Sequence, residues 1–557
     1  MNVSEEIKRR GPHRRLVLAC GIGFIICLAI AFAFAQRPRR VSTPEGNRNT
    51  PTESRNSTQG PKIITVHKGN DLQKALNAAE PGDTIVLDAG ATYTGAYVLP
   101  VKSVLSGTDS DYITIRTSTP DTLLPNSTTR INPSLQTTLL AHLASPGQGM
   151  PVLRTSPGAH HYRFLGLEFS PTDSSSSVYD LIMFGDGSSA QNTLAQVPHH
   201  LIIDRCYLHA FTGQELKRGV SLQSSETWII NSWLSGFKSA TQDSQAIGGW
   251  NGPGPYHINN NYVEAAGENI LFGGSDPWIA NLVPSDIEIK GNTITKPLSW
   301  KVDEAEYGGQ LWAVKNLVEL KNAQRVVIDG NIIENCWRAA QGGTSIVLTP
   351  RNQGGSAAWS VVREVRISNN IIRRANQAIG MLSQDYEHQS QVMETMEVRN
   401  NLVYEIDKKR WGAGQNGGYF LTFAGPGAKN ISITHNTVIN TGMGIVMESN
   451  VKLTNLVITD NIMHFQILGG DSGGTKALQR YVSGWQVRRN VIVIDENHDF
   501  WESLYPPDNY YPSSFSEVGF VDPGRSDFRL HGKSNLRGRA TNGKDIGVNF
   551  DELTQLR

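Results

Sequence analysis

From Leu167 to Val491 the chain repeats one short phrase eleven times: an apolar residue, two variable residues, an anchor, one variable residue, another apolar residue. The anchors are Leu167, Cys206, Ser232, Asn261, Asn292, Asn331, Asn370, Asn401, Asn436, Asn461 and Asn490, spaced 25 to 39 residues apart. Phrases such as IKGNTI, IDGNII, ISNNII and ITHNTV alternate apolar and polar positions and are rich in Ile and Val, so each repeat predicts a strand. Self-similarity at this spacing predicts stacked coils, because a unit this small buries its apolar face only against its neighbours. A second apolar column follows each anchor: LIMFGDG from 181, VSLQS from 220, ILFGG from 270, NLVELKN from 316, SIVLTPRN from 345 and YFLTFAG from 419.

Eight of the anchors, from Asn261 to Asn490, carry the same primary amide. Burying an amide costs free energy unless its donors and acceptor are paired. In a parallel stack successive Asn lie about 4.8 Å apart, the strand spacing of a sheet, which predicts a ladder of amides bonded along the coil axis. Asn also favours isolated turns, but the recurring apolar flanks argue for a common interior position.

The chain has 557 residues, no formal net charge and 54 glycines. That length would allow several domains, but the repeats predict one elongated one, because a solenoid grows along its axis without widening its core. A balanced charge without a basic stripe predicts no nucleic-acid partner. Residues 16–35 carry no charge and are long enough to cross a bilayer as a helix. Lys8, Arg9, Arg10, Arg14 and Arg15 precede this segment, predicting that residues 1–15 stay cytoplasmic and the rest is exported. The protein is expected in the periplasm or at the cell surface, anchored to the inner membrane by residues 16–35, or secreted if cleaved after Ala35. Residues 36–60 read as a flexible linker. Of the exported cysteines, Cys206 and Cys336 lie four coil steps apart, about 19 Å, too far for a disulfide.

Asp71 to Glu80 places Leu72, Ala75, Leu76 and Ala79 on one helical face, and Pro81-Gly82-Asp83 ends the helix. An amphipathic helix here would cover the open end of the first coil. The segment DLQKALNAAEPGDTIVLDAGATYTG resembles the N-terminal cap of right-handed parallel β-helix proteins of the pectin-lyase-like superfamily, and most that of alginate-lyase and chondroitinase-B-type enzymes. The resemblance implies an all-β, right-handed parallel β-helix solenoid over residues 61–500, with an N-terminal capping helix. Residues 501–557 are expected to cover the last coil. The superfamily hosts lyases, hydrolases, epimerases and non-catalytic proteins, so fold alone does not fix activity.

Period-two alternation points Val318 and Leu320 inward and Glu319 and Lys321 outward; one coil on, Arg351 ends the strand that begins at Ser345. Outward polar groups on successive coils suit β-elimination at a uronic acid. Lys321 is the candidate base, its pKa expected to fall beside Arg351, and Arg351 is the candidate carboxylate clamp. Glu268, Asn269 and Glu319 offer oxygen ligands for Ca2+; the chondroitinase-B resemblance implies a Lys, an Arg and calcium. Equally, Glu319 and Lys321 read as solvated charges on a coil face. Hydrolysis would need paired acids; Asp243, Glu264, Glu268 and Asp276 are available, without a recognisable pair.

Eight of the eleven Trp fall between 228 and 359. Trp250, Asn251, Asp276, Trp278 and Trp300 lie in or beside Gly/Pro loops and are candidate substrate-binding residues, since an exposed ring stacks on sugar. His160-His161 and His199-His200 precede their anchors by the same distances and should stack; no added carboxylate or Cys spacing marks them as metal ligands. The expected function is an exported protein acting on or binding an acidic polysaccharide, by β-elimination. A non-catalytic glycan-binding or adhesion solenoid and a glycoside hydrolase are the alternatives.

Overall fold

The computed structural model describes residues 60–103, 107–465, 467–469 and 472–554. The expected membrane or signal helix at 16–35 and nearly all of the linker lie outside them. Among the described residues no helix is long and apolar enough to cross a membrane.

The chain winds as a parallel β-helix with three long sheets; among the described residues sheet I has 14 strands and sheets II and III have 13 each. One coil shows the order. Ser285–Lys290 lies in sheet I, Asn292 turns the chain, Thr293–Thr295 lies in sheet II, Val318–Leu320 in sheet III, and Ala323–Asp329 returns to sheet I one rung higher. Alternation decides what fills the interior. Ile182, Val220, Ile247, Ile270, Val318, Ile346, Ile379, Leu421 and Ile445 stand in register along sheet III, and none is exposed. Each coil therefore buries its apolar face against two neighbours, and the core is continuous along the axis.

The amide ladder forms as the repeats predict. Nδ2 of Asn261 donates to Oδ1 of Asn292 at 3.1 Å, and the pattern continues through Asn331, Asn370, Asn401, Asn436, Asn461 and Asn490 at 2.9–3.0 Å. Each Oδ1 also accepts the backbone N–H of the preceding anchor, as Asn370 does from Asn331 at 2.9 Å. Asn509, outside the repeated phrase, ends the ladder by accepting from Asn490 at 2.9 Å. Cys206 and Cys336 are buried free thiols.

The first coil is capped by the helix Leu72–Ala78, whose N-cap Asp71 accepts from Lys74 N. Its Gln73 side chain exchanges two hydrogen bonds with the Val98 backbone, at 2.8 and 2.9 Å, satisfying the edge of sheet III. The far end is covered by the helix Gly474–Tyr481, with Ala477, Leu478 and Tyr481 buried. The tail reaches further than the last coil. Phe528, Val548 and Leu553 pack on Ile371, Leu402 and Tyr404, and Asn549 N donates to Asn400 Oδ1 at 2.6 Å. The tail thus runs back along the outer face of sheet II, whose earlier rungs at Tyr207 and Trp233 are covered by Leu124, Ile131 and Leu140.

Candidate functional site

Outward residues of sheet III form a polar strip, because parallel register stacks the same strand position from coil to coil. Asp180, Arg218, Gln245 and Glu268 occupy one such row. Arg218 Nη1 donates to Asp180 Oδ1 at 2.6 Å and Nε to Gln245 Oε1 at 3.1 Å; Gln245 Nε2 donates to Glu268 Oε2 at 2.9 Å. The row continues with Asn316, whose Nδ2 donates to Glu319 Oε2 at 3.1 Å and to Gln341 Oε1 at 2.7 Å.

Lysines stand against the acids. Lys315 Nζ lies 2.5 Å from Asp243 Oδ1 and 3.7 Å from Glu268 Oε1. Lys321 Nζ lies 3.5 Å from Glu319 Oε1. Glu268 is fully buried, and its Oε1 has no hydrogen-bond partner. Arg351 follows one rung on: its backbone N–H donates to Lys321 O at 2.8 Å, and Nη1 to Asp385 Oδ1 at 2.8 Å. The side chains of Lys321 and Arg351 remain 16% and 25% exposed.

The expected depression of Lys321 does not occur. Burial acts to lower its pKa, but the Glu319 and Glu268 carboxylates outweigh this and hold it above the ordinary lysine value. Arg351 is not among the groups that shift Lys321, and its guanidinium is paired with Asp385. Lys315 is likewise pushed up to about 12: burial opposes the shift, and Glu268 and Asp243 override it.

Glu268 and Glu319 thus belong to one charged cluster, as the calcium expectation requires, but Asn269 does not join them. The strand departs from strict alternation at its start, where Asn269 and Ile270 both turn inward. Asn269 is fully buried in the interior, where Oδ1 accepts from Lys296 Nζ at 2.9 Å and Nδ2 donates to the Val263 and Thr295 carbonyls. With two ammonium groups already against the carboxylates, and few further oxygens facing them, the donor set does not fit a calcium cage of six to eight oxygens.

Three of the five expected sugar contacts also have structural tasks. Asn251 is fully buried; its Nδ2 donates to the Asp186 and Gln191 carbonyls, and its Oδ1 accepts from Trp278 N and Ile279 N, tying loops together. Trp300 is only 8% exposed and packs with Trp312, Trp337 and Trp411, because its loop folds onto the coil instead of projecting from it. Asp276 Oδ2 accepts from Gly354 N, Ser356 N and Ser356 Oγ, holding the loop after Arg351. Trp278 is 55% exposed. Trp250 is half-buried on the strip, with the Arg218 guanidinium 5.0 Å from its ring centre.

Several participants escaped the sequence reading. The Asp180–Arg218–Gln245–Glu268 row has no local motif, because its members come from four coils. Lys296 is fully buried, and its Nζ donates to the carbonyls of Ala265, Ala266 and Gly267 at 2.6–2.9 Å, fixing the turn into Glu268. Burial pushes it down to about 8. Glu264 is committed to Gly236 N and Tyr262 OH, and Lys315 bridges the Asp243 and Glu268 carboxylates.

No protein-family model and no curated protein matches the chain. Solved structures show looser likenesses. An alginate lyase from Paenibacillus is 16% identical, covering 81% of this chain and 98% of its own, with a TM-score of 0.33. A mannuronic acid specific family 6 polysaccharide lyase from human gut microbiota is 12% identical, with coverages of 81% and 91% and a TM-score of 0.39. The catalytic domain of a GH87 alpha-1,3-glucanase is 10% identical, with coverages of 85% and 70% and a TM-score of 0.39. The sheets themselves establish that this chain is a parallel β-helix protein, and the neighbours' named activities differ.

Proposed function

We propose that this protein is exported, binds an acidic polysaccharide along the outer face of sheet III, and cleaves it by β-elimination beside Lys321 and Arg351. The observation that carries the reading is the partly exposed Lys321–Arg351 pair on adjacent rungs, joined by the 2.8 Å backbone bond. Arg351 has guanidinium N–H groups beyond the one given to Asp385 and would hold the uronate carboxylate. Lys321 would remove the proton from the carbon alpha to that carboxylate. The electron pair then forms the carbon–carbon double bond as the glycosidic C–O bond breaks at the beta carbon, and the departing oxygen takes back a proton from the Lys321 ammonium. Because the carboxylates keep Lys321 protonated, only its small neutral fraction acts as base, and turnover should climb as pH rises toward the lysine pKa.

Export and tethering through residues 16–35 belong to the same proposal. Calcium is not needed for any of these steps. A second reading, a binding solenoid without catalysis, is favoured by one observation: Lys315, Lys321 and Arg351 each already face a carboxylate. The test is a panel of uronate polymers with ultraviolet detection of unsaturated products. Elimination predicts product from the native chain and none from Lys321→Ala, with polymer retention preserved in both. Retention without product supports the binding reading, and neither retention nor product removes the proposal.

A further inference from the structure

On sheet I, far along the chain from the strip residues at 319–351, two histidine pairs and a glutamate come together. His160 and His199 pair in register, and His199 pairs with Ser225 on the next rung. One position on, His161, His200 and Glu226 form the next column, all with left-handed backbone at φ of 58°, 53° and 44°. The ligand-capable nitrogens of His161, His199 and His200 lie within 4.8 Å of one another. The Glu226 carboxylate joins them: Oε2 is 2.6 Å from His200 Nδ1 and 3.8 Å from His199 Nδ1. His199 Nδ1 and His200 Nδ1 are 2.7 Å apart.

These contacts are short of protons. His200 Nδ1 can carry one hydrogen but faces two acceptors, His199 Nδ1 and Glu226 Oε2. Giving the hydrogen to His199 instead leaves His200 Nδ1 as a lone pair against the carboxylate. Buried nearby, His161 is 5% exposed, and its Nε2 has no hydrogen-bond partner. One cation accepting these lone pairs would relieve both defects. The left-handed column recurs on later rungs at Asp286, Arg325 and Glu364, where Arg325 pairs with Asp286 at 2.7 Å. The bend therefore serves to present side chains to a neighbouring rung, and here it presents imidazoles and a carboxylate.

We propose that His161, His199, His200 and Glu226 bind one divalent transition-metal cation of the zinc type, joining three successive coils. Three imidazole nitrogens and one carboxylate oxygen suit Zn2+ in tetrahedral coordination and do not suit Ca2+, which takes oxygen. Four protein ligands make the site closed, as in structural zinc sites. Around the cluster stand His160, whose Nδ1 lies 3.0 Å from His161 Nδ1, Tyr112, whose ring centre lies 5.3 Å from that of His161, and the Asp111 and Asp109 carboxylates, whose charges act on His161.

The test titrates the chelator-stripped full chain with Zn2+ against a chromophoric competitor. The expected result is one equivalent bound per chain and a melting temperature that rises with Zn2+. His200→Asn, chosen because Asn tolerates left-handed backbone, and Glu226→Gln should each weaken binding. For His200→Asn the loss should exceed the roughly 100-fold that outer-shell changes cause. His257→Ala, a histidine on the same sheet paired with Glu288 and outside the cluster, should bind as the native chain does. Circular dichroism of each metal-free variant checks that it folds. Failure of the native chain to bind a stoichiometric equivalent overturns the proposal, as does unchanged binding in folded His200→Asn or an equal loss in His257→Ala.

Discussion

Replacing Asn370 by Ala removes one rung of the ladder and shows what the ladder contributes. Asn370 is fully buried. Its Oδ1 accepts from Asn331 N and Nδ2, both at 2.9 Å, and its Nδ2 donates to Ile328 O and Asn401 Oδ1, also both at 2.9 Å. After truncation Asn331 Nδ2 keeps its bond to Ile289 O, and Asn401 Oδ1 keeps that from Asn370 N. The Asn331 backbone N–H loses its acceptor inside the core. An orphaned buried donor costs about 1–3 kcal/mol, and each of the other three lost bonds contributes about 1 kcal/mol, so the expected loss is about 4–6 kcal/mol. Asn370→Asp should also destabilise, since it keeps the acceptor but buries a charge where a donor stood. Chemical denaturation followed by far-ultraviolet circular dichroism measures this, with the exposed-side variant Gln353→Ala as reference. A loss below about 1 kcal/mol for Asn370→Ala would refute the view that the amides hold the coils in register.

Other outcomes follow from the same geometry. Glu319→Gln removes the main charge holding Lys321 above its ordinary value, so the rising limb of the pH–rate profile should move to lower pH and neutral-pH turnover should rise; an unmoved limb would separate Lys321 from the base step. Trp278→Ala should lower polymer retention several-fold with melting unchanged, because its ring is exposed. Trp300→Ala should instead destabilise the fold by about 3–5 kcal/mol, the usual cost of emptying an aromatic site in a core; thermal melts and affinity electrophoresis distinguish the two. Calcium chelation should leave elimination unchanged, and loss of product on chelation, restored by calcium alone, would contradict the reading of Glu268 and Glu319 as lysine partners.

What the sequence made legible is what repeats. The coil order, the inward positions Val318 and Leu320, and the outward Glu319 and Lys321 follow from alternation that any register must respect. Asn509 was missed because PPDNYY lacks the apolar flanks that mark the other anchors, though its amide makes the same bond. Glu268 and Asn269 part because regular alternation begins only after Asn269: Asn269 and Ile270 both turn inward, a local break that no sequence pattern marks. Trp300 was misplaced because loop packing depends on partners, Trp337 and Trp411, far away in sequence. The Asp180–Arg218–Gln245–Glu268 row was invisible because only register, set by unequal loops between coils, brings it together.

The central claim, cleavage by elimination beside Lys321 and Arg351, is tested most directly by the mass of the oligosaccharides released in oxygen-labelled water. Elimination predicts products with an unsaturated end and no label, lighter by one water than hydrolytic ones, and none from Lys321→Ala. Saturated fragments carrying the label, formed equally by that variant, would contradict the account.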